Sequence, residues 1–326
     1  SFRLATPAEI RKLGAHDDFL HYHRIEAFLT MDIKKITIAG AGTMGYSMAD
    51  IFAQNGYDVI LWNHRQPTLD RARTKISPAA ADKITYTTGN EAFKGRDLIV
   101  ECIVEDLPSK LAFYREISPL VDADTILATN TSGLSINKLA AAVTGPERFL
   151  GMHWFNPPTL IPLIEIIKND KTRPDVARTI YDLSLAIHKQ PALVEKDVPG
   201  FAANRIQLAV LRETLALVRD GVVSVEAADA VMKYGLGFRW ACLGPLETID
   251  FGGLDVFYHI SEYLVPDLED SHEVPQLLRE KFEAGDYGVK TGKGFYDYSG
   301  DKAREATAAR DKKLQAIYDA LYGEKE

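Results

Sequence analysis

The chain is expected to fold as an α/β protein, a doubly wound parallel sheet followed by an all-helical domain. Three features predict this. A β-branched run, Lys35-Ile36-Thr37-Ile38-Ala39, leads into Gly40-x-Gly42-x-x-Gly45 and then into an apolar helical pattern from Tyr46 to Gln54. Short apolar strands then alternate with helical segments as far as Val194. From Phe201 onward strand signals almost vanish, and apolar residues recur at helical spacing. The 326 residues are enough for two domains.

Residues 1–30 precede Met31-Asp32-Ile33, which reads like a natural start just ahead of the first strand. Phe19 to His23 have some helical character but no chemical motif. The leader is therefore expected to be an N-terminal extension, a remnant of cloning or a misassigned start. Residues 31–196 read as a Rossmann domain. After the glycines come a strand at Asp58–Trp62, a short helix at Thr68–Lys75, a strand at Lys83–Thr87 and a buried parallel strand at Asp97–Ile103. A helix at Ser109–Leu120, a strand at Thr125–Ala128, a strand–turn–strand unit from Gly151 to Ile167, a helix at Asp175–His188 and a strand at Pro191–Val194 complete it. Lys196-Asp197-Val198-Pro199-Gly200 breaks the pattern and marks the boundary. Residues 197–326 read as a helical substrate and dimerisation domain, with helices at Val225–Tyr234, Leu254–Leu264 and Pro275–Ala284, a loop at Gly288–Tyr298 and a charged, exposed helical tail.

Composition narrows the function. A net charge of −8 without a basic run argues against nucleic acid. No apolar stretch approaches the roughly 20 residues needed to span a bilayer, and no signal peptide is evident. The two cysteines, Cys102 and Cys242, lack metal-site neighbours and fit a reducing compartment, so the expected location is cytoplasmic. The expected partners are a small-molecule substrate and a second copy of the chain, the apolar face of the helical domain serving as a homodimer interface.

The glycine pattern with its flanking strand and helix points to a dinucleotide. Gly40 permits the tight turn, Gly42 leaves room for a pyrophosphate, and Gly45 lets helix and strand pack closely. The helix start, with Thr43 and Met44, offers free N–H groups and a positive dipole end to the phosphates. Where an NAD site carries Asp or Glu for the ribose 2′-hydroxyl, this chain has Asn63-His64-Arg65. Asn63 removes a carboxylate that would repel a 2′-phosphate and Arg65 can pair with one, which tips the reading toward NADP and leaves NAD open. Glu105 and Asn130 to Ser132 fall at carboxyl ends of strands, on the cofactor rim. The chemistry is expected in Gly151 to Ile167. Folding back at Asn156-Pro157-Pro158 brings Glu165 toward His153, and a carboxylate on one imidazole nitrogen fixes the tautomer and leaves the other for a substrate proton.

These motifs resemble a known family. Gly40-x-Gly42-x-x-Gly45, Asn130-Thr131-Ser132, His153-x-x-Asn156-Pro157, Glu165, Pro199 to Arg205, Gly244-Pro245-Leu246-Glu247 and Gly292-Lys293-Gly294-Phe295-Tyr296 together resemble the 3-hydroxyacyl-CoA dehydrogenases, including the bacterial 3-hydroxybutyryl-CoA dehydrogenases, from Lys35 to Tyr298. The resemblance implies an NAD(P)-dependent oxidoreductase of fatty acid metabolism that moves a hydride at C3 of a 3-hydroxyacyl compound without a metal. It implies that His153 is the general base, that Glu165 orients it, that Ser132 and Asn204 bond the substrate oxygen, that Asn156 lines the same pocket, and that Glu105 faces the nicotinamide end. Two stretches depart from the acyl-CoA pattern. The segment between the second strand and Asp97 is short where the family has a long helical excursion contributing to the CoA site. Gly235 to Pro245 is longer, and looks like relatives acting on free hydroxy acids, such as gulonate dehydrogenase, carnitine dehydrogenase and lambda-crystallin. There Arg239 would meet a free carboxylate, or form a plain surface salt bridge. Asp250 to Asp255 looks like the acyl-CoA enzymes instead. A cofactor-binding protein without turnover is the remaining alternative, and the joint presence of Ser132, His153, Glu165 and Asn204 counts against it.

Overall fold

The computed structural model describes residues 2–3 and 30–323; the expected helical character of Phe19 to His23 lies outside the described residues. Two short strands, β1 (Phe2–Arg3) and β2 (Thr30–Met31), pair antiparallel. The first unit then runs β3 (Lys35–Ala39), α1 (Thr43–Gln54), β4 (Asp58–Trp62), α2 (Gln66–Arg73), β5 (Ile84–Thr87), β6 (Leu98–Glu101), α3 (Leu107–Ile117), β7 (Ile126–Thr129), α4 (Ile136–Ala140), β8 (Phe149–Trp154), β9 (Leu163–Lys168), α5 (Pro174–Ala186) and β10 (Gln190–Val194). Eight of these strands form one sheet in the order β10-β9-β8-β7-β6-β3-β4-β5. Every pairing is parallel except β8 with β9.

Both faces of the sheet are covered, which is why its strands read as apolar runs rather than alternating ones. Ile36, Ile38, Leu98, Val100, Ile126, Ala128, Leu150 and Met152 pack on one side against Met48 and Phe52 of α1 and Val176 and Ile180 of α5. Ala39, Ile99, Leu127, Phe149 and Ile167 point the other way, against Phe113 and Tyr114 of α3 and Ile136 and Leu139 of α4. The chain reverses its winding between β3 and β6, so the crevice beyond their carboxyl ends is the topological switch point where such sheets take ligands. The glycines sit there. Gly40 has φ 118°, and a β-carbon on it would lie 2.5 Å from the Cys102 carbonyl oxygen; one on Gly45 would lie 1.8 Å from the Gly40 oxygen. One on Gly42 would meet nothing within 4 Å.

The chain divides into two compact units, residues 1–203 and 204–326. The division falls a few residues beyond the expected boundary at 196/197, for a local reason. Pro199-Gly200 turns the chain, Gly200 and Phe201 take positive φ of 76° and 54°, and the Phe201 ring is buried in the core of the first unit. The helix expected from Phe201 therefore begins at Ala203.

That helix, α6 (Ala203–Arg219), leads into the second unit. There follow α7 (Val225–Val231), a π-helical stretch (Met232–Leu236), α8 (Gly237–Trp240), α9 (Pro245–Gly252), α10 (Leu254–Leu264), α11 (Gln276–Glu283) and α12 (Lys302–Tyr322). The π turn breaks the α-helix expected to run on to Tyr234. The 288–298 segment is a loop with two isolated bridges, Gly288 to Lys293 and Lys293 to Asp297. No helix among the described residues is long and apolar enough to cross a membrane.

Candidate active site

The lone antiparallel junction of the sheet positions the chemistry. In its register His153 on β8 stands directly opposite Glu165 on β9, and residues so paired hold their β-carbons about 4.5–5.5 Å apart on one face. His153 Nδ1 and Glu165 Oε2 are 2.9 Å apart, and both residues are buried. The other carboxylate oxygen, Oε1, accepts from the backbone N–H groups of Ala202 at 3.0 Å and Ala203 at 2.8 Å. These are donors at the start of α6, where the helix has no internal partners for them. Burial pushes the Glu165 carboxyl up, but the bond from His153 and the Ala203 and Ala202 amides outweigh it, so its pKa lies below the ordinary carboxylate value. Glu165 is thus an ionised acceptor. It places the imidazole proton on Nδ1 and leaves the Nε2 lone pair for a substrate proton. Phe155 and Phe201 pack on the ring, with centroids 4.3 Å and 5.8 Å away, and so restrict its rotation.

The turn after β8 carries Asn156, exposed, and its bond to Pro157 is cis. Asn130 Oδ1 accepts from the Trp154 N–H at 2.8 Å, so this side chain ties the end of β7 to the end of β8. Ser132 is exposed on the next loop, its N–H bonded to Glu105 Oε1 at 2.7 Å. The same oxygen accepts from the Thr131 hydroxyl at 2.5 Å. Glu105 therefore joins the loops after β6 and β7, and the structure brings Glu105, Asn130, Ser132 and the dyad to one edge of the sheet. Asn204 follows Ala203 in the chain as the first residue of the second unit. Arg239 lies in that unit on α8, with its side chain exposed.

The residues at the switch point fit a pyrophosphate. Gly42 is the extended N-cap of α1 with no capping side chain, the first turn holds no acidic residue, and the space a Gly42 side chain would fill is clear. Thr43 is exposed at the helix start, while the Met44 side chain packs on the core. Asn63 is buried. It accepts from the Ala41 N–H at 3.4 Å and donates to the Arg65 carbonyl at 3.2 Å, bracing the glycine turn against the loop after β4. Arg65 is exposed at the start of α2.

Sequence reasoning missed the group beneath the rim. Glu101, fully buried at the end of β6, accepts from Lys110 Nζ at 2.5 Å, the Ile103 N–H at 2.8 Å, the Thr129 hydroxyl at 2.8 Å and the Tyr114 hydroxyl at 3.2 Å. Lys110 also lies 3.4 Å from Glu105 Oε2. Burial, with Glu101 adding to it, holds the Tyr114 hydroxyl well above its usual pKa. A signal was present: Lys110 shares the buried stripe of α3 with Phe113, Tyr114 and Ile117, a charge placed where an amphipathic helix should be apolar.

Known proteins share this sequence and fold. Residues 35–198 match the NAD binding domain of 3-hydroxyacyl-CoA dehydrogenase, and residues 200–298 match the C-terminal domain of the same family. The chain belongs to the 3-hydroxyacyl-CoA dehydrogenase family. It is accordingly an NAD-dependent oxidoreductase acting on CH–OH. A probable 3-hydroxybutyryl-CoA dehydrogenase of Deinococcus radiodurans is 36% identical over 281 residues, covering 81% of this chain and 100% of that one. The 5-formyl-3-hydroxy-2-methylpyridine 4-carboxylate 5-dehydrogenase of Mesorhizobium japonicum is 37% identical over 306 residues, covering 89% of this chain and 99% of that one. The crystal structure of a dehydrogenase of the same substrate, described as an NAD+ dependent dismutase, superposes with a TM-score of 0.85 at 36% identity, covering 90% of this chain and all of that one. A 3-hydroxyacyl-CoA dehydrogenase structure from Archaeoglobus fulgidus gives a TM-score of 0.67 at 33% identity, with 90% and 100% covered.

The Glu165 carboxylate links the dyad to stability. Its pKa in the folded chain lies below the ordinary 4.5, so its contribution is fully present above pH 4.5 and is lost as pH falls through the folded value. Thermal melts of the parent and of Glu165→Gln should therefore differ most near neutrality and converge in acid. A gap independent of pH would show that the charge contributes nothing.

Proposed function

We propose that this chain oxidises, or in reverse reduces, carbon 3 of a 3-hydroxyacyl compound such as 3-hydroxybutyryl-CoA, with His153 as the group that moves the proton. One observation carries the reading: the 2.9 Å contact of His153 Nδ1 with a buried Glu165 whose second oxygen is held by two backbone amides. In oxidation His153 Nε2 takes the hydroxyl proton while the C3 hydrogen leaves with its electron pair and the carbonyl forms. In reduction the protonated ring returns the proton to the oxygen. A bound nicotinamide accepts or supplies the hydride. Ser132 and Asn204 are assigned to the substrate oxygen and Asn156 to the pocket wall. Gly40, Gly42, Thr43, Met44 and Gly45 are assigned to the pyrophosphate, Asn63 and Arg65 to the adenosine ribose, and Glu105 and Asn130 to the nicotinamide side. The free thiols of Cys102 and Cys242 support a cytoplasmic setting.

The Mesorhizobium relative favours a second reading, in which the substrate carries a free carboxylate and Arg239 recognises it. The dyad serves this equally well. An aldehyde hydrate, like a carbinol, gives up an O–H proton to a base and a C–H hydride, and yields a carboxylic acid. A panel scored by nicotinamide absorbance separates the two readings: acetoacetyl-CoA, free 3-hydroxybutyrate and a formyl-pyridine carboxylate, assayed side by side. His153→Ala should lower turnover on the active substrate by at least about 10²–10⁴-fold while leaving cofactor affinity nearly intact. Near-parent turnover in both directions would reject the dyad.

For the cofactor, the missing carboxylate at residue 63 and the exposed Arg65 support acceptance of a 2′-phosphate. Arg65→Ala should then weaken NADPH binding by about 10- to 100-fold, the loss of one charge-assisted contact, and spare NADH. Equal affinities for both cofactors, unchanged by the substitution, would retire this assignment.

The chain is further proposed to form a homodimer through its helical unit. Phe251 and Tyr234 are each 81% exposed and Phe238 73%, while only Leu215, Ala216, Ala228 and Thr248 of the described residues after 203 are buried. Sedimentation at micromolar concentration should give a dimer, and Phe251→Glu should shift it toward monomer. A monomeric parent would reject the interface.

A further inference from the structure

Lys189 is a buried cation on the far side of β8 from the dyad, and neither the family motifs nor the proposed chemistry uses it. Its place is set by the end of α5. His188 takes φ 60°, the N–H groups of His188 and Lys189 bond back to the carbonyls of Leu185 and Ser184, and Gln190 N–H bonds to the Pro162 carbonyl as β10 begins. The side chain then turns inward, 4% exposed. Its ammonium donates to the Pro158 carbonyl and, at 3.0 Å, to the Ile161 carbonyl, and lies 5.6 Å from the centre of the Trp154 ring. Both carbonyls belong to the turn that links His153 to Glu165 and carries Asn156, and Trp154 is the last residue of β8 before it. Leu160 and Ile161 close that turn with N–H bonds of 3.1 Å and 3.0 Å to the Pro157 carbonyl.

We infer that Lys189 is a positioning residue for the dyad: its ammonium clamps the 155–162 turn, and with it Asn156 and the β8–β9 register, into the working arrangement. The inference rests on the His153–Glu165 reading proposed above. An ammonium offers three donors and suits two converging carbonyls and a ring face; a neutral amine is a weaker donor and loses the attraction to the ring. Burial alone pushes the Lys189 pKa down to about 8. The titratable groups on the segments around it are His153 and Glu165 on the hairpin, His188 beside it and the Arg178–Asp182 pair on α5, and burial is the cause that sets the shift. The clamp therefore weakens as pH rises through about 8. Oxidation should therefore fall off as pH rises through that range.

The test uses the full chain with Lys189→Met and Lys189→Arg. It follows kcat/KM for oxidation from about pH 6 to 10, cofactor affinity, and amide hydrogen exchange of Leu160 and Ile161 corrected for intrinsic rates. The parent should lose about threefold or more of kcat/KM above its optimum. Lys189→Arg, which keeps its charge, should hold the high value to the end of the range. Lys189→Met should raise the substrate KM by about fivefold or more at neutral pH, with cofactor affinity within about twofold and no further alkaline loss. Exchange at Leu160 and Ile161 should speed up in Lys189→Met at all pH values and in the parent only in alkali. A parent profile flat to the alkaline end, an alkaline loss retained in Lys189→Met, or unchanged exchange in that variant would overturn the inference. If Lys189→Met does not fold, the Lys189→Arg profile and the parent's exchange decide it. If no substrate of the panel turns over, the proposed function fails while exchange still decides the clamp.

Discussion

The site depends on one buried carboxylate. Glu165 bonds at once to the imidazole of the neighbouring strand and to two amides at the start of α6. The arrangement needs β9 to run against β8, since that register sets His153 directly across from Glu165, within reach of one hydrogen bond. A carboxylate so buried is costly unless every oxygen is met, and here both are. Its partners would suffer in turn if it were removed: the imidazole would lose its orientation, and the helix start would keep two unpaired donors beside the core. The orientation of the imidazole and the path of the backbone through Ala202 and Ala203 therefore depend on the same group.

A second buried charge sits under the cofactor rim. Glu101 ends a strand otherwise made of Leu98, Ile99 and Val100, and its four donors use both of its oxygens. The Lys110 ammonium lies between this buried acid and the half-exposed Glu105, which in turn holds the Thr131 hydroxyl and Ser132 N–H. Pairs of this kind contribute little net stability against an apolar core of the same volume. What they contribute here is direction. Glu105, beside the Lys110 ammonium, ties the loop after β6 to the loop after β7.

Local patterns were legible in the sequence to the extent that they had local causes. The glycine turn, the alternation of strands and helices and the change of character near residue 200 follow from neighbouring residues, and all were readable. The pairing of His153 with Glu165 was readable because the chain reverses at Asn156-Pro157-Pro158 between two apolar runs, which returns the second along the first. Other features depend on partners distant in the chain. Asn130 was read as a cofactor-rim residue by its position at a strand end, yet its oxygen holds the Trp154 amide, 24 residues away. Lys189 finds its carbonyls 28 and 31 residues back. The helix expected from Phe201 starts at Ala203 because the Phe201 ring is drawn into a core built from strands far upstream. No periodicity reports such contacts; only a charge standing in an apolar stripe, as with Lys110, hints at them.

The two units solve the problem of burial differently. The first closes on itself: both faces of its sheet carry a covered apolar layer, and most large apolar side chains among its described residues are buried or half-buried. The second has the helical periodicity of a folded domain, yet its strongest apolar positions, Phe238, Leu246, Phe251, Leu254 and Tyr258, stand in the open. Burying one such side chain is worth about 1.5–3 kcal/mol, so a helical unit that leaves several exposed gives up stability on the scale of a whole domain's net margin. Amphipathic helices gain most of their stability from packing rather than from propensity. With so little interior of its own, the second unit would regain that margin by covering these side chains. In the dimer proposed above, a second copy of the chain would supply an apolar surface of the same composition, so the periodicity after residue 203 that predicts helices is also what motivates that proposal.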